Sequence, residues 1–508
     1  MVPALASTHG DRSAETLAWA QARCRPRLRP GRMAALRTLR ALGRWMSPVW
    51  HPSGELADRI GLLVIAYGAF KFSNWMWLAA RVPGRSALLA NLVIQYLAFG
   101  CFCLLVALAL RRPMPQWLKG MRTHRLLWAS PVIGVIAMLV VGAGIGRAVA
   151  DNHLLIDDAN AMAVCGARAI STGGDPYQVD EIPCLLSLKL SPLLATPYRS
   201  GPLASVKVYP TPAQILAAAN SPDHGGQRLF SPLGKPPLDP LAAVPVAGAA
   251  APIRALWTLL PIAVLLGVVL TVAGPLWPAA GGLLLLSYFL NGSAVNFAAN
   301  GNAEAFAYVL LALSVIFLRR PWLSAICLGL AIGSNQLAWF FLPGYVLLCW
   351  DDGRWRQRIL GVGATLLVAV VPLVVRYPDS LLAVYNSLRA HTFPLGSGPS
   401  ELVLARFWSG PPRIVWLLAT GLAIAAIFLW GMSSSKWRVG AAVLTLAAFW
   451  LSWRSLDEYL AQIPLLTLVL ILVMFGHGRA DSGQLNRDMV EDSGGPGGPP
   501  ARRPLPAG

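Results

Sequence analysis

The sequence predicts an all-α integral membrane protein with about twelve transmembrane helices and one long polar loop early in the chain. Of its 508 residues, 56% are hydrophobic and only 13% are charged, and the mean hydropathy is +0.55. A soluble protein carries roughly 25% charged residues. The third observation is the polar interruption from Asp151 to about Pro252, because polar groups beside a membrane are functional candidates by default.

Apolar runs long enough to cross a bilayer of about 30 Å set the expected helices. The stretch 322–350 is too long for one untilted span and is broken at Gly333-Ser334-Asn335-Gln336. We expect it to form two short helices in a hairpin, since a polar break at membrane depth must line a cavity or be buried. The other expected spans are 60–80, 88–110, 127–150, 253–273, 276–291, 303–318, 358–375, 413–431, 438–453 and 459–475.

The formal net charge of +19 is not attributed to nucleic-acid binding, because the basic residues cluster beside the spans, as cytoplasmic loops do. This rule predicts a multi-pass protein of the plasma (inner) membrane with both termini in the cytoplasm. The hairpin at 322–350 is required to keep Arg319 and Arg354 on the same side of the membrane. The clusters are Arg111, Arg112, Lys119, Arg122 and Arg125, then Arg319 and Arg320, then Arg354, Arg356 and Arg358, then Lys436 and Arg438.

Four regions follow from this pattern. Residues 1–58 form an Arg-rich arm, expected to be disordered and to touch anionic lipid. Residues 59–125 hold two helices, and 126–476 form the main transmembrane domain with outer loops at 151–252 and 377–412. Short amphipathic helices are expected in the first outer loop. Residues 477–508 form a Gly/Pro-rich tail.

Two adjacent carboxylates, Asp157 and Asp158, lie close after the start of the first outer loop at Asp151. A carboxylate half-shielded from water can act as a general base toward a hydroxyl group, and Asp158 is preferred over Asp157 for this role. The other is expected to cap a helix starting near Ala159, and the alternative is that both acids only cap. The run from Gly173 to Tyr177 predicts a helix terminator.

Basic and amide side chains at the same face are candidate ligands for a substrate. Arg454 suits a lipid phosphate, or it pairs with Asp457 or Glu458. Asn302, Glu304, Asn335 and Gln336 suit sugar hydroxyls or cap the helices that they precede. The remaining candidates are Arg376, Arg389 and His391 for phosphate, and Asn160 and Tyr177 for the sugar or acceptor.

Cys165 and Cys184 both fall in the first outer loop. If this loop faces an oxidising compartment, they are expected to form a disulfide that closes it. The alternative is two buried thiols.

The order of four short motifs resembles the C-type (GT-C) membrane glycosyltransferases, especially the polyprenol-phosphate-sugar-dependent family 87, which includes bacterial mannosyltransferases. An Asp follows an early span, and a Gly-Gly-Asp-Pro-Tyr turn follows at Gly173. Gly301-Asn302-Ala303-Glu304 then precedes a helix and a broken pair, and Arg454-Ser455-Leu456-Asp457-Glu458-Tyr459 comes late. The resemblance covers roughly residues 130–475, so the helices at about 60–110 are additional to the family layout.

The resemblance implies an inverting transfer of a sugar, mannose among the candidates, from a polyprenyl-phosphate donor to a lipid or glycan hydroxyl at the extracytoplasmic face. Asp158 would take the acceptor proton, and Arg454, Arg389 or His391 would stabilise the departing phosphate. No metal or other cofactor is expected, because arginine or histidine can neutralise a single phosphate. The competing interpretations are a polytopic transporter or lipid flippase and a non-catalytic membrane assembly factor.

Overall fold

The computed structural model of this chain describes 13 stretches, and the account below concerns these residues. They are 54–79, 85–119, 139, 158–179, 182–188, 196–207, 209–221, 233–273, 304–389, 392–404, 413–455, 457–460 and 462–475. The expected spans at 127–150 and 276–291 therefore lie outside the described residues, apart from Leu139.

The described residues are mostly helical, with one pair of very short strands. The first helices are α1 (Gly54–Ala79), α2 (Arg85–Leu110), α3 (Asp158–Ser171), α4 (Ile182–Ser187), α5 (Pro212–Ala219), α6 (Leu238–Ala243), α7 (Ala251–Ala273), α8 (Glu304–Ile316), α9 (Pro321–Ser334) and α10 (Leu337–Cys349). They are followed by α11 (Trp355–Ala369), α12 (Val371–Arg376), α13 (Asp379–Arg389), β1 (Leu395–Gly396), α14 (Ser400–Leu404), α15 (Arg413–Ser433), α16 (Arg438–Leu444), β2 (Arg454–Ser455), α17 (Asp457–Leu460) and α18 (Gln462–Phe475). Short 3-10 helices lie at Gln116–Leu118, Gly201–Leu203, Val244–Val246, Trp350–Asp352 and Thr445–Leu451.

The last helix, α18, forms the centre of the bundle. Its residues from Gln462 to Val473 are all buried, as expected of a helix that is apolar on every side. It packs against α1, α2, α7, α8 and α16. The helix pair α1–α2 is therefore part of the same core as the later helices.

The predicted break in 322–350 is confirmed, since α9 ends at Ser334 and α10 begins at Leu337. Helix α11 runs alongside α9 in the same direction, with Gly361 against Ala325 and Gly329 against Thr365. Arg358 near the start of α11 donates to the carbonyl of Leu318 before α9. The chain therefore enters and leaves the α9–α10 pair at one end, as the expected hairpin requires.

The basic clusters meet at one end of the bundle, which we call the basic end. The backbone N–H of Arg112, just after α2, donates to the carbonyl of Lys436 at 2.9 Å, and Arg111 lies over the ring of Trp437. Arg438 at the start of α16 pairs with Asp351 after α10. These contacts place the ends of α2 and α10 with the start of α16, on the side where α11 begins.

A buried arginine forms hydrogen bonds with the last carbonyls of α2 at the basic end. Arg59 is fully buried in α1, and its guanidinium donates to the carbonyls of Ala109 and Arg111. The last carbonyls of a helix have no hydrogen-bond donors within the helix. The guanidinium of Arg59 is the donor at this end of α2. Glu55, one turn earlier, pairs with Arg59 at 2.7 Å. Helix α1 therefore begins at Gly54, earlier than the expected start near Ile60.

Three helices within the described stretches are long and apolar enough to cross a membrane, namely Leu89–Leu110, Trp355–Arg376 and Ile414–Ser433. Large apolar side chains on the last two, including Val375 and Leu422, are mostly exposed. Contiguous exposed apolar surface of this kind indicates contact with lipid or a partner. The expected count of about twelve spans is not confirmed. Two expected spans are outside the described residues, and α8, α9, α10 and α18 have 14 residues or fewer.

Candidate functional site

Asp158, the predicted base, is the first residue of α3 and is half-buried. Thr196 donates two hydrogen bonds to its Oδ2, one from the backbone N–H at 2.9 Å and one from the hydroxyl at 2.6 Å. No hydrogen bond to Oδ1 comes from the described residues. The carboxylate is thus oriented through one oxygen, and the second oxygen is the candidate proton acceptor. Asp157 lies outside the described residues.

The predicted terminator ends α3 as expected. Gly173 has a positive φ of 82°, which glycine adopts without a steric cost, and the N–H of Gly174 donates to the carbonyl of Ala169 at 2.8 Å. Asp175 accepts the backbone N–H of Tyr177. The Tyr177 hydroxyl donates to the carbonyl of Lys235 at 2.9 Å, so this side chain is occupied in joining the turn to residues 233–240.

Cys165 on α3 and Cys184 on α4 are joined in a disulfide, the pairing that the sequence analysis considered. Arg168, one turn after Cys165, donates from Nε to the carbonyl of Ala247 at 3.0 Å and from Nη1 to the hydroxyl of Ser187 at 3.3 Å. These links fasten the helix that begins with Asp158 to the rest of the polar loop.

Three segments pair with one another, and the first of them contains Thr196, the partner of Asp158. We call residues 196–200, 392–398 and 452–455 the junction. Tyr198 forms an antiparallel bridge with Thr392. The carbonyl of Thr392 also accepts the indole N–H of Trp453 at 2.8 Å. The 392–398 segment therefore lies between the other two, and the Thr196 contacts connect this group to Asp158.

Arg454 enters the junction through the parallel pairing of β1 with β2, in which Leu395 is opposite Arg454. Its side chain is half-buried, and its Nη1 is buried without a hydrogen-bond partner among the described residues. A buried guanidinium N–H without an acceptor is costly. The alternative partners Asp457 and Glu458 have side chains outside the described part of the structure.

Arg199 is a second half-buried guanidinium in the junction, and it was not among the candidates predicted from the sequence. It lies 5.1 Å from the ring centroid of Phe393 and donates from Nη2 to the carbonyl of Lys207 at 2.9 Å. Its Nε and the hydroxyl of Thr392 are buried without hydrogen-bond partners among the described residues. The junction therefore holds buried N–H groups of two arginines that lack acceptors among the described residues, and guanidinium groups suit phosphate.

The other predicted phosphate ligands are not all described. Arg376 is exposed at the end of α12, and the helix α13 ends at Arg389. The Arg389 side chain and His391 lie outside the described residues. We therefore assign neither of them to the junction.

Among the predicted sugar ligands, the side chains of some are described and those of others are not. Asn335 is buried and accepts the N–H of Leu337 at 2.9 Å, which is the helix-capping alternative. Gln336 has a buried Oε1 with no partner among the described residues. Helix α8 starts at Glu304 and α3 includes Asn160, but the side chains of both residues and all of Asn302 lie outside the described residues.

A buried ion pair lies close to α3 and was also missed. Lys235 and Asp239 are both buried, with Nζ and Oδ2 3.8 Å apart. Leu233, in the same segment, packs in a cluster with Met162 and Cys165 of α3. Buried charges are costly and concentrate at functional sites. The lysine followed by two prolines, in Gly234-Lys235-Pro236-Pro237, is the local signal that could have identified it.

The described residues contain no group of three His, Cys, Asp or Glu side chains placed to hold a metal ion. Neither a protein-family model, nor a curated protein, nor a solved structure matches this chain.

Proposed function

We propose that this chain is a membrane glycosyltransferase that moves a sugar, with mannose as the first candidate, from a polyprenyl-phosphate donor to the hydroxyl of a lipid or glycan. The observation that carries the proposal is the link between the predicted base and the predicted phosphate ligand. Asp158 accepts a hydrogen bond from Thr196, and Tyr198, two residues later, pairs with Thr392. The segment that begins at Thr392 pairs in turn with the strand of Arg454.

The proposed reaction uses a base and an anion site together. Asp158 takes the proton of the acceptor hydroxyl through the oxygen that Thr196 does not hold. The acceptor oxygen then forms a bond to the anomeric carbon from the face opposite the phosphate, which inverts the configuration. The carbon–oxygen bond to the phosphate breaks, and its electron pair leaves with the polyprenyl phosphate.

The departing phosphate gains negative charge, and Arg454 and Arg199 are the groups proposed to stabilise it. Preorganised donors in a partly dehydrated site stabilise developing charge more strongly than donors in water. Both side chains hold buried N–H groups that lack acceptors among the described residues. The chemistry needs no metal, because guanidinium groups can neutralise a single phosphate.

The proposed membrane orientation follows from the two ends of the bundle. The basic end would face the cytoplasm under the positive-inside rule, with about twelve spans and both termini on that side. Gln95, near the junction, precedes the end of α2 by 15 residues, or roughly 22 Å of helix. The junction would then lie at the extracytoplasmic face, where the disulfide between Cys165 and Cys184 is stable.

The test is a transfer assay on purified protein in nanodiscs, with radiolabelled polyprenyl-phosphate sugars and a membrane-lipid extract as acceptor. Asp158→Asn should abolish transfer, and Arg454→Gln should reduce kcat/KM for the donor by roughly 100-fold, as loss of a charged hydrogen bond in the transition state does. The matched controls are Asp351→Asn and Arg356→Gln at the basic end, where the side chains are exposed. Both controls should retain activity.

Absence of transfer from every donor would overturn the proposal. Transfer that Asp158→Asn leaves intact would remove the proposed base, and an equal loss in Arg356→Gln and Arg454→Gln would remove the specific phosphate site.

A further inference from the structure

We infer that Gln95 of α2 is a positioning residue for Arg454. The helix pair α1–α2 then contributes to the site through α2. The inference rests on the proposed function, because Arg454 is there the ligand of the donor phosphate. Gln95 acts on Arg454 through Ser397 and Gly398, the turn that follows β1.

Gln95 is a fully buried amide within the candidate span Leu89–Leu110. A buried amide in an apolar helix is costly unless it forms a hydrogen bond. Its Nε2 donates to the carbonyl of Ser397, a residue 302 positions later in the chain. The hydroxyl of the next residue, Tyr96, lies 3.5 Å from the carbonyl of Gly398. Helix α2 therefore holds two successive carbonyls of the turn.

The same turn is fastened to the strand that carries Arg454. The N–H of Ser397 donates to the carbonyl of Ser455 at 3.0 Å, and the N–H of Gly398 donates to the Ser455 hydroxyl at 2.7 Å. Gly396 is opposite Ser455 in the strand pair. Ser397 and Gly398 thus donate their N–H groups to Ser455, while their carbonyls accept from Gln95 and Tyr96 of α2. The Gly398 carbonyl also accepts the N–H of Glu401 at 3.0 Å.

Close packing prevents the turn from relaxing. A Cβ on Gly398 would lie 1.7 Å from the carbonyl oxygen of Trp450, and Gly396 has a φ of 137°, a conformation that favours glycine. The Trp450 ring itself stacks on Phe99 of α2, with 4.8 Å between centroids. A shift of α2 or of the Ser397 carbonyl is therefore expected to move the backbone of Arg454.

Gln95→Met tests this inference, because methionine keeps a similar length and apolar volume but cannot donate. The expected result is a roughly tenfold loss of kcat/KM for the donor with an unchanged KM for the acceptor. The double variant with Arg454→Gln should be no less active than Arg454→Gln alone, since residues that act through one another are not additive. Thr467→Val is the control, as it removes a buried hydroxyl bonded within α18, and it should leave both constants unchanged.

Hydrogen–deuterium exchange gives a readout that does not depend on activity. Peptides covering 392–404 and 450–455 should exchange faster in Gln95→Met and at the wild-type rate in Thr467→Val. If Gln95→Met lowers activity in a way that multiplies with Arg454→Gln, or leaves exchange in these peptides unchanged, the inference is overturned. If the wild type transfers no sugar, the proposed function fails, while exchange still decides whether Gln95 holds the turn.

Discussion

Thr196 and Asp158 are joined by two hydrogen bonds to one carboxylate oxygen, at 2.6 and 2.9 Å. The backbone N–H and the hydroxyl of Thr196 both hold Oδ2, and together they orient the carboxylate. Because Tyr198 in the same segment pairs with Thr392, the orientation of Asp158 depends on the segment that also holds Arg454. The proposed base and the proposed phosphate site are thus parts of one structural unit.

Removing the Thr196 hydroxyl should lower the rate of transfer without removing the base. In Thr196→Val the backbone N–H remains but the 2.6 Å hydrogen bond is lost, so Asp158 is oriented less well. We expect a roughly tenfold lower kcat, since misplaced catalytic groups lose activity steeply. Steady-state kinetics would measure this loss. Thr196→Ser keeps the hydroxyl and should retain most activity; equal losses in both variants would contradict an orienting hydroxyl.

Asp239→Asn should destabilise the protein, because it leaves the charge of Lys235 buried without its carboxylate. Breaking a buried ion pair costs about 3 kcal/mol. Thermal unfolding of the detergent-solubilised protein would show a clear fall in Tm. Lys119→Gln is the comparison, because the side chains of Lys119 and its partner Glu55 are 48% and 44% exposed, and such pairs contribute at most about 1 kcal/mol. An equal change in Tm for both variants would be inconsistent with the burial of Lys235 and Asp239.

Replacing Cys165 and Cys184 by alanine should lower stability by about 3 kcal/mol, the value for a closed loop of similar length. The sequence separation of the two cysteines is 19, and the loop joins α3 to α4. We expect a lower Tm together with reduced protection of α3 from hydrogen exchange. Cys101→Ala, at an exposed free thiol, should change neither quantity. A Tm that is the same with and without a reducing agent in the wild type would contradict the role of the disulfide.

The two ends of the bundle should be accessible from opposite sides of the membrane. Lys207 and Arg356 are both exposed, the first beside the junction and the second near the basic end. With the free cysteines replaced by alanine, Lys207→Cys should react with an impermeant maleimide in intact cells. Arg356→Cys should react only after the membrane is opened. Reaction of both from the same side would disprove the proposed orientation.

The sequence by itself determined the features that depend on neighbouring residues. Glycines at 173 and 174 predicted the end of α3, and the polar break before Leu337 predicted the division between α9 and α10. Composition predicted a helical protein with apolar helices long enough for a membrane. These features follow from local conformational preference and from the hydrophobic pattern, which are written in consecutive residues.

The tertiary structure alone decided which distant residues form the candidate site. Asp158 was predicted from its position, but its bond to Thr196 joins residues 38 apart, and the contact of Gln95 with Ser397 joins residues 302 apart. Arg199 and Lys235 gave only weak local signals. Hydrogen bonds between distant segments depend on how helices pack, and many segments in one chain could supply the same donors and acceptors. Only the packing of α2, α3 and the junction selects among them.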